Sequence, residues 1–371
     1  MTLADRIKAP GQKRILALDG GGIRGIISVE ILSAIEAMLQ KQLSRGDDFR
    51  LADYFDLVAG TSTGAIIATC IALGMRMDKV REFYLQSGNE LFDKACVLKR
   101  FRYKYEDEKL SRKLKDEFGG DTRLGSDKLK SLLLVMMRNA TTDSPWPLSN
   151  NPFAKYNERI RANCNLDIPL WQLVRASTAA PTYFPPEVVR VGDKDFIFVD
   201  GGITTYNNPA FQAFLMATVE PYKIGWATGE EKLLLVSIGT GTSPVANSDL
   251  NPEEMNLLFN ATSIPSALMF AALNEQDMLC RIFGECLSGD VLDREVGDLC
   301  NIKGPVEPKL FTYMRYNAEL TREGLEVLGL ADIEPTNVQK LDSVEFVRDL
   351  QQIGRSVAAR SVRTVDFGNY T

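Results

Sequence analysis

The stretch FDLVAGTSTGAIIATC, residues 55–70, has two apolar runs joined by a glycine-rich turn. In the turn, Gly60 and Gly64 flank Ser62 in the pattern G-x-S-x-G. This pattern is typical of a nucleophilic serine on a sharp turn from a strand into a helix. The alternative is a serine at the N-cap of an ordinary helix. The fold and the chemistry of the chain both depend on which interpretation holds.

The residue types that the chain lacks narrow its possible chemistry. It contains no histidine. A Ser-His-Asp triad, a Cys-His dyad and a histidine general base are therefore impossible within one chain, so acid-base work must use other side chains. The six cysteines are scattered, without a C-x-x-C pair, so we expect neither a disulfide framework nor a zinc site. We expect no metal and no cofactor.

The bulk composition is that of a globular protein, with 371 residues, 45% of them hydrophobic and 25% charged. The formal net charge of −6 gives no electrostatic case for a nucleic acid polymer as partner. No apolar run reaches the roughly 18 residues that a membrane span needs. The N-terminal residues lack the apolar stretch of a secretory signal. We therefore expect a cytoplasmic protein.

A strand, a glycine turn and a helix occur twice near the N-terminus, which favours an α/β fold with a parallel sheet. The sequence also predicts a loop at 141–152 and only helices beyond about residue 255. The remaining predictions are strands at 13–19, 54–60, 132–138, 196–202 and 232–241, and helices at 25–43, 65–74, 78–118 and 170–180.

The glycine cluster DGGGIRG, residues 19–25, follows the first predicted strand and precedes a helix. It contains G-x-G-x-x-G, which is also the dinucleotide-binding fingerprint, but the acidic residue expected about 20 positions later is missing. Glycines at a helix N-terminus expose backbone N–H groups to an anion, and the oxyanion of acyl transfer is such an anion. A tight turn without a ligand remains an open alternative.

Asp200 ends another predicted strand, in the stretch VDGG. Without histidine, a carboxylate could take the Ser62 proton directly, provided that a desolvated pocket raises its pKa. Asp19, Asp53 and Asp56 are rival bases, although the last two enter a strand instead of leaving one. The alternative role for Asp200 is to cap a turn.

These motifs, in the order DGGGIRG, GTSTG and DGG, resemble the patatin-like phospholipase family of lipid acyl hydrolases. The stretches RASTAAPTYFPP (175–186) and SIGTG (237–241) strengthen the resemblance, which covers residues 12–242. The resemblance implies a three-layer α/β fold with a mainly parallel central sheet in a catalytic domain over 12–242. We expect residues 243–371 to form a mainly helical C-terminal extension packed on it.

The resemblance also implies roles for individual residues. Ser62 would be the nucleophile and Asp200 its base, in a Ser-Asp dyad that needs no cofactor. The oxyanion hole would be formed by Gly20, Gly21, Gly22 and Arg24. The motif glycines are Gly60, Gly64, Gly25, Gly201 and Gly202. One departure is Ala65, at a position where many members of the family carry a third glycine.

The implied substrates are carboxyl esters of membrane phospholipids, so we expect peripheral contact with the inner face of the membrane. A basic and aromatic cluster is the candidate contact, although a solvated helix face is an equal alternative. Its members are Lys99, Arg100, Phe101, Arg102 and Lys104. Some bacterial members of the family are switched on by a cyclic nucleotide, so such an activator is a further expectation. The sequence leaves open a catalytically silent module that binds lipids or anions, and the oligomeric state.

Overall fold

The computed structural model describes residues 2–91, 107–181, 183–243, 253 and 257–371. These residues contribute nine strands to one sheet, in the order β5-β6-β3-β2-β1-β7-β9-β8, with β4 also paired to β3. The strands are β1 (Lys13–Leu18), β2 (Leu57–Thr61), β3 (Leu132–Asn139), β4 (Ser144–Ser149), β5 (Glu187–Val191), β6 (Lys194–Asp200), β7 (Leu233–Ile238), β8 (Glu285–Ser288) and β9 (Thr312–Tyr316).

Helices cover both faces of this sheet. They are α1 (Leu3–Lys8), α2 (Gly25–Gln42), α3 (Leu51–Tyr54), α4 (Thr63–Ala72), α5 (Met77–Leu91), α6 (Asp107–Phe118), α7 (Leu170–Ser177), α8 (Ala210–Thr218), α9 (Leu257–Phe283), α10 (Arg322–Val327), α11 (Pro335–Val338) and α12 (Val347–Ser361). None of the helices among the described residues is both long enough and apolar enough to cross a membrane.

The apolar runs of the sequence become the central strands because a parallel sheet is buried on both faces. Strands β1, β2, β3, β7, β9 and β8 pair in parallel. Alternate residues of β1 serve two separate cores: Leu16 and Leu18 pack on one face, Ile15 and Ala17 on the other. This arrangement of helices, sheet and helices confirms the predicted α/β class with a mainly parallel central sheet.

The strands β6 and β2 meet end to end beside β3. Strands β2 and β4 pair with the same residues of β3, so they must occupy opposite edges of that strand. Beyond the end of β2, the antiparallel β6 pairs with residues that β4 also pairs with, so β6 lies on the edge that β2 has left. Thr61 lies beside Met136, and Asp200 lies beside the next residue, Met137. The last residues of β2 and β6, Thr61 and Asp200, therefore lie close together beside β3.

Two sequence-based predictions of secondary structure are wrong. The segment 141–152, predicted as a loop from its proline and asparagine content, contains β4. Among the described residues, β4 pairs with β3 along one edge only. Its other edge needs no ladder hydrogen bonds, so Pro145 and Pro147, which lack a backbone N–H, are tolerated. The stretch beyond about residue 255 is not helical only, because it contains β8 and β9.

The C-terminal part of the chain completes the sheet and covers α2. Strand β9 pairs with β7, so residues on both sides of the predicted boundary at 242 and 243 share one sheet. The boundary itself stays a prediction. Glu30 of α2 is buried although it carries a charge. Its carboxylate accepts hydrogen bonds from Arg81 of α5 and from Gln351 and Arg355 of α12, which tie the three helices together.

Candidate active site

Ser62 lies at the sharp turn between β2 and α4. Its backbone has φ 53° and ψ −123°, a strained conformation that is held where the surrounding structure imposes it. A Cβ atom on Gly60 would lie 2.2 Å from the carbonyl oxygen of Gly64, and one on Gly64 would lie 2.2 Å from the carbonyl oxygen of Leu18. Both positions therefore need glycine. Ser62 makes no side-chain capping bond to α4, which argues against the N-cap interpretation.

The side chain of Ser62 is directed at Asp200 instead. Its Oγ donates a hydrogen bond of 2.6 Å to Oδ2 of Asp200, across 138 positions of sequence. The pairing of β2 and β6 with adjacent residues of β3 sets this distance. Although β6 runs antiparallel to β3, it delivers Asp200 to the carboxyl end of β2, where the sequence placed it.

The environment of Asp200 suits a general base. The residue is 4% exposed, and its Oδ1 accepts a hydrogen bond of 2.6 Å from the amide of Gly202. Desolvation raises the pKa of Asp200 to about 6, while the Ser62 hydroxyl, the Gly202 amide and the charge of Arg175 act in the opposite direction. A base with a pKa near the working pH is both ionised and able to hold a proton.

Ser177, at the end of α7, fixes the position of Ser62, and the sequence analysis did not single it out. Its hydroxyl accepts a bond of 2.9 Å from the backbone amide of Ser62 and donates one of 2.6 Å to the carbonyl oxygen of Met136. The strained turn is thus tied to β3. A signal was available, since Ser177 lies within the stretch 175–186 that carries the family resemblance.

The glycine loop after β1 lies next to Ser62. A Cβ atom on Gly20 would lie 3.2 Å from Cβ of Ser62, so this residue must be small. The amide of Gly20 already donates to the carbonyl oxygen of Asn207, at 3.1 Å, and is not free for an oxyanion. The amides of Gly21 and Gly22 have no acceptor among the described residues. Of the three amides predicted for the oxyanion hole, these two remain available.

Tight contacts hold the shape of this loop. A Cβ atom on Gly21 would lie 2.1 Å from Oγ1 of Thr240, and Gly22 has a positive φ of 61°. The N-terminus of α2 packs so closely on α4 that a Cβ atom on Gly25 would lie 2.6 Å from Oγ1 of Thr63. On the other strand end, a Cβ atom on Gly201 would lie 2.4 Å from the carbonyl oxygen of Met136. A side chain at any of these motif glycines would clash with its neighbours or strain the backbone, so glycine is required.

Arg24 anchors the glycine loop from the side of the C-terminal region. Its guanidinium donates a bond of 3.0 Å to the carbonyl oxygen of Gln339, and the amide of Ile23 donates to that of Leu341 at 2.9 Å. Burial lowers the pKa of the Arg24 guanidinium to about 10, so it keeps its charge at neutral pH. Arg24, predicted as part of the oxyanion hole, thus supports the loop that carries the two available amides.

The rival bases are engaged elsewhere. Asp19 is 1% exposed, and its two oxygens accept bonds of 2.9 and 2.5 Å from Arg315 of β9. Asp56 pairs with Arg6 at 3.2 Å before β2 begins. Asp53 accepts from the backbone amide of Arg50 at the start of α3. Asp200 is thus the candidate base that faces Ser62.

The pair of Asp19 and Arg315 extends into a buried network that the sequence did not reveal. Arg315 also lies 3.9 Å from Asp277 of α9, which holds Arg281 at 2.7 Å and accepts a bond of 2.8 Å from Tyr313. The network links the residue before the glycine loop to the C-terminal region. Arg315 comes from a short strand in a stretch without a motif, so nothing in the sequence pointed to it.

The basic cluster predicted to contact the membrane falls outside the described residues. Its members are Lys99, Arg100, Phe101, Arg102 and Lys104. Their predicted role therefore stays a prediction.

Comparison with known proteins places the chain. Patatin-T5 of Solanum tuberosum is 28% identical over 323 residues, which is 78% of this chain and 80% of that protein. Patatin-01 of the same plant is 31% identical over 257 residues, or 65% of this chain and 63% of that protein. The crystal structure of VipD from Legionella pneumophila aligns over 92% of this chain and 67% of that one, with a TM-score of 0.39 and 15% identity.

The model of the patatin-like phospholipase family matches residues 16–214, which is more than half of the 371 residues. The matched span contains the glycine loop, Ser62, Ser177 and Asp200. The chain is accordingly a lipid ester hydrolase, and it belongs to the patatin-like phospholipase family.

Proposed function

We propose that this protein is a phospholipase A-type enzyme that cleaves carboxyl esters of membrane phospholipids with a dyad of Ser62 and Asp200. The observation that carries the proposal is the 2.6 Å hydrogen bond from the Ser62 hydroxyl to a buried carboxylate whose pKa lies near 6. A serine activated by an adjacent base is the general arrangement of covalent acyl transfer.

The reaction proceeds in two halves. Ser62 Oγ attacks the ester carbonyl carbon while its proton passes to Oδ2 of Asp200, and the amides of Gly21 and Gly22 bind the developing oxyanion. The lysophospholipid leaves with the proton from Asp200. Asp200 then accepts a proton from water as the water attacks the acyl-enzyme, and it passes this proton to Ser62 Oγ as the fatty acid is released.

Apolar groups beside the dyad support a lipid substrate. Met269 of α9 approaches Gly202 so closely that a Cβ atom there would lie 3.4 Å from its methyl carbon. Its neighbours Leu268 and Phe270 are 64% and 36% exposed, respectively. Large exposed apolar side chains on a helix that reaches Gly202 suit contact with acyl chains or with a bilayer surface.

The decisive experiment measures fatty acid released from mixed phospholipid vesicles. We expect wild type to be active and Ser62→Ala and Asp200→Asn to lose at least about 10³-fold in kcat. Ser144→Ala, at a half-buried position, and Asp195→Asn, at an exposed one, lie in the same sheet, serve as matched controls and should keep wild-type rates. A fully active Ser62→Ala protein would exclude the mechanism.

A catalytically silent module would behave differently in the same assay. It would bind vesicles without releasing fatty acid, and a fluorophosphonate probe would not label Ser62.

The expected cyclic-nucleotide activator is proposed only on the family resemblance. Repeating the assay with and without candidate cyclic nucleotides tests it, since a rate that does not respond would contradict it.

Peripheral membrane contact through the basic cluster is a separate prediction. Reversal of its charges should weaken binding to anionic vesicles, because each basic residue near an anionic surface contributes about 1 kcal/mol. The variant replaces Lys99, Arg100, Arg102 and Lys104 by Glu. Co-sedimentation with anionic and with neutral vesicles measures the effect, and unchanged binding to the anionic ones would contradict the prediction. The cytoplasmic location likewise stays a prediction.

A further inference from the structure

Two of the cysteines lie in contact at the end of the sheet remote from the dyad. Cys286 is in β8, and Cys300 is in the loop that follows it. Their Sγ atoms are 3.4 Å apart, although the residues are 14 positions apart in sequence. No short spacing such as C-x-x-C marks them, so their pairing could not be predicted from the sequence.

The two thiols differ in exposure and in pKa, so they would play different roles in a thiol–disulfide exchange. Cys286 is 1% exposed, whereas Cys300 is partly exposed. The hydrogen bond between them raises the pKa of the Cys286 thiol and lowers that of Cys300. The Cys300 amide is held by the Asp298 carboxylate at 3.0 Å, which fixes the loop backbone. Cys300 is thus both the better thiolate and the more accessible sulfur.

The other described cysteines lack these properties. Cys70 and Cys280 are fully buried, Cys164 is 3% exposed, and burial raises the pKa values of Cys70 and Cys280. Single thiols of this kind are unreactive toward bulky reagents. Among the described residues, the pair of Cys286 and Cys300 is the one suited to oxidation.

We propose that Cys286 and Cys300 form a reversible intramolecular disulfide by exchange with a small-molecule disulfide. The Cys300 thiolate attacks one sulfur of the reagent, forms a mixed disulfide and releases one reagent thiolate. Cys286 then loses its proton to solvent and attacks Sγ of Cys300, releasing the second reagent thiolate. Two protein thiols are oxidised and one reagent disulfide is reduced to two thiols, so electrons and atoms balance.

The position of the pair gives the bond a structural setting. The loop between the two cysteines supplies the carbonyl oxygens of Asp290 and Asp298, which accept bonds of 2.6 and 2.7 Å from Arg281. Arg281 in turn pairs with Asp277, which belongs to the buried network around Arg315. A disulfide would close this loop around the arginine that it already binds.

The test uses oxidised glutathione on the reduced, full-length protein. Trypsin should cut after Arg281, Arg294 and Lys303, so that the two cysteines fall on the separate peptides 282–294 and 295–303. We expect mass spectrometry without reductant to find these peptides joined, at a mass lower by two hydrogen atoms than their sum. Dithiothreitol should separate them.

Single variants assign the steps. In Cys286→Ser we expect the reaction to stop with glutathione bound to Cys300, and in Cys300→Ser we expect neither product. Cys164→Ser is the matched control and should form the bond as wild type does. Wild-type protein that keeps both thiols, or that retains glutathione on Cys300, would overturn the proposal. The wild-type peptide map decides by itself if a variant fails to fold.

Discussion

The proposed chemistry of the site depends on one carboxylate that is largely shielded from solvent. An exposed aspartate is too weak a base for a serine hydroxyl at neutral pH, because its pKa is about 3.9. In the proposed mechanism, burial of Asp200 removes that difficulty, and the 2.6 Å bond to Ser62 makes the proton transfer direct. That mechanism needs no histidine between nucleophile and acid. The absence of histidine from the sequence is consistent with a buried Asp200 as the base.

The pH dependence of hydrolysis follows from this burial. Asp200 must be ionised to accept the Ser62 proton, and its pKa is about 6. We expect kcat/KM to be constant above about pH 7 and to fall about tenfold per pH unit below about pH 5. Initial rates on a neutral short-chain ester, across this range, measure the profile. A rate that stays constant down to pH 4 would contradict the role of Asp200.

The same burial should make Asp200 a cost to stability. Its pKa is raised in the folded protein from 3.8 to about 6, so between these values the folded state holds the extra proton. The free energy of unfolding therefore falls as pH rises through this window, by on the order of 2 kcal/mol. Urea unfolding should show Asp200→Asn to be more stable than wild type at pH 8 and equally stable near pH 3.5. A variant that is less stable at pH 8 would refute this expectation.

At the scale of elements, the sequence predicted the central strands well but missed strands such as β4 and β9. Runs such as LLLVMMR at 132–138 are apolar because both faces of the strand are buried, so their pattern is strong. Strand β9, TYMRY, is short and carries a buried arginine whose charge is compensated by the distant Asp19 and by Asp277. Strand β4 carries two prolines and is stabilised by its partner β3. The partner strand decides both elements, a distant one for β9 and the neighbouring β3 for β4, and no local pattern within either strand indicates it.

The ion pair between β9 and the glycine loop leads to a further prediction. Arg315→Met would leave Asp19 buried without its partner, which typically costs about 3–5 kcal/mol of stability. Adding Asp19→Asn should recover part of this loss because the uncompensated charge is removed. Urea unfolding of the single and double variants measures both effects.

Arg190→Met provides the matched control for that measurement. Its ion pair with Asp195 is exposed, so we expect a change below about 1 kcal/mol. An Arg315→Met protein no less stable than this control would contradict the importance of the buried pair.

At the scale of the whole molecule, the catalytic half of the chain is not self-sufficient in its contacts. The glycine loop is held by Gln339 and Leu341, the residue before it by Arg315, and α2 by α12. The sequence predicted the dyad and the loop from local motifs. It could not predict these supports, because residues from a stretch without motifs supply them.

Removal of the C-terminal region tests this dependence. A protein that ends at residue 242 would expose the edge of β7 and leave Asp19 and Glu30 without their arginine and glutamine partners from β9 and α12. We expect it to lack a cooperative thermal transition and to show no hydrolysis of vesicles. Calorimetry and the fatty-acid assay measure the two properties. A truncated protein with wild-type activity would show instead that residues 12–242 form an independent domain.

The end-to-end meeting of β2 and β6 makes catalysis a late event in folding. The elbow and its serine can form as soon as β2 pairs with β3, but the base arrives only when β6 docks beside Met137. A nascent or partly refolded chain would thus contain the nucleophile in an inert form, separated from its base by 138 residues of sequence. Contacts between distant parts of a chain form slowly. Hydrolytic activity should therefore return after the helical signal during refolding.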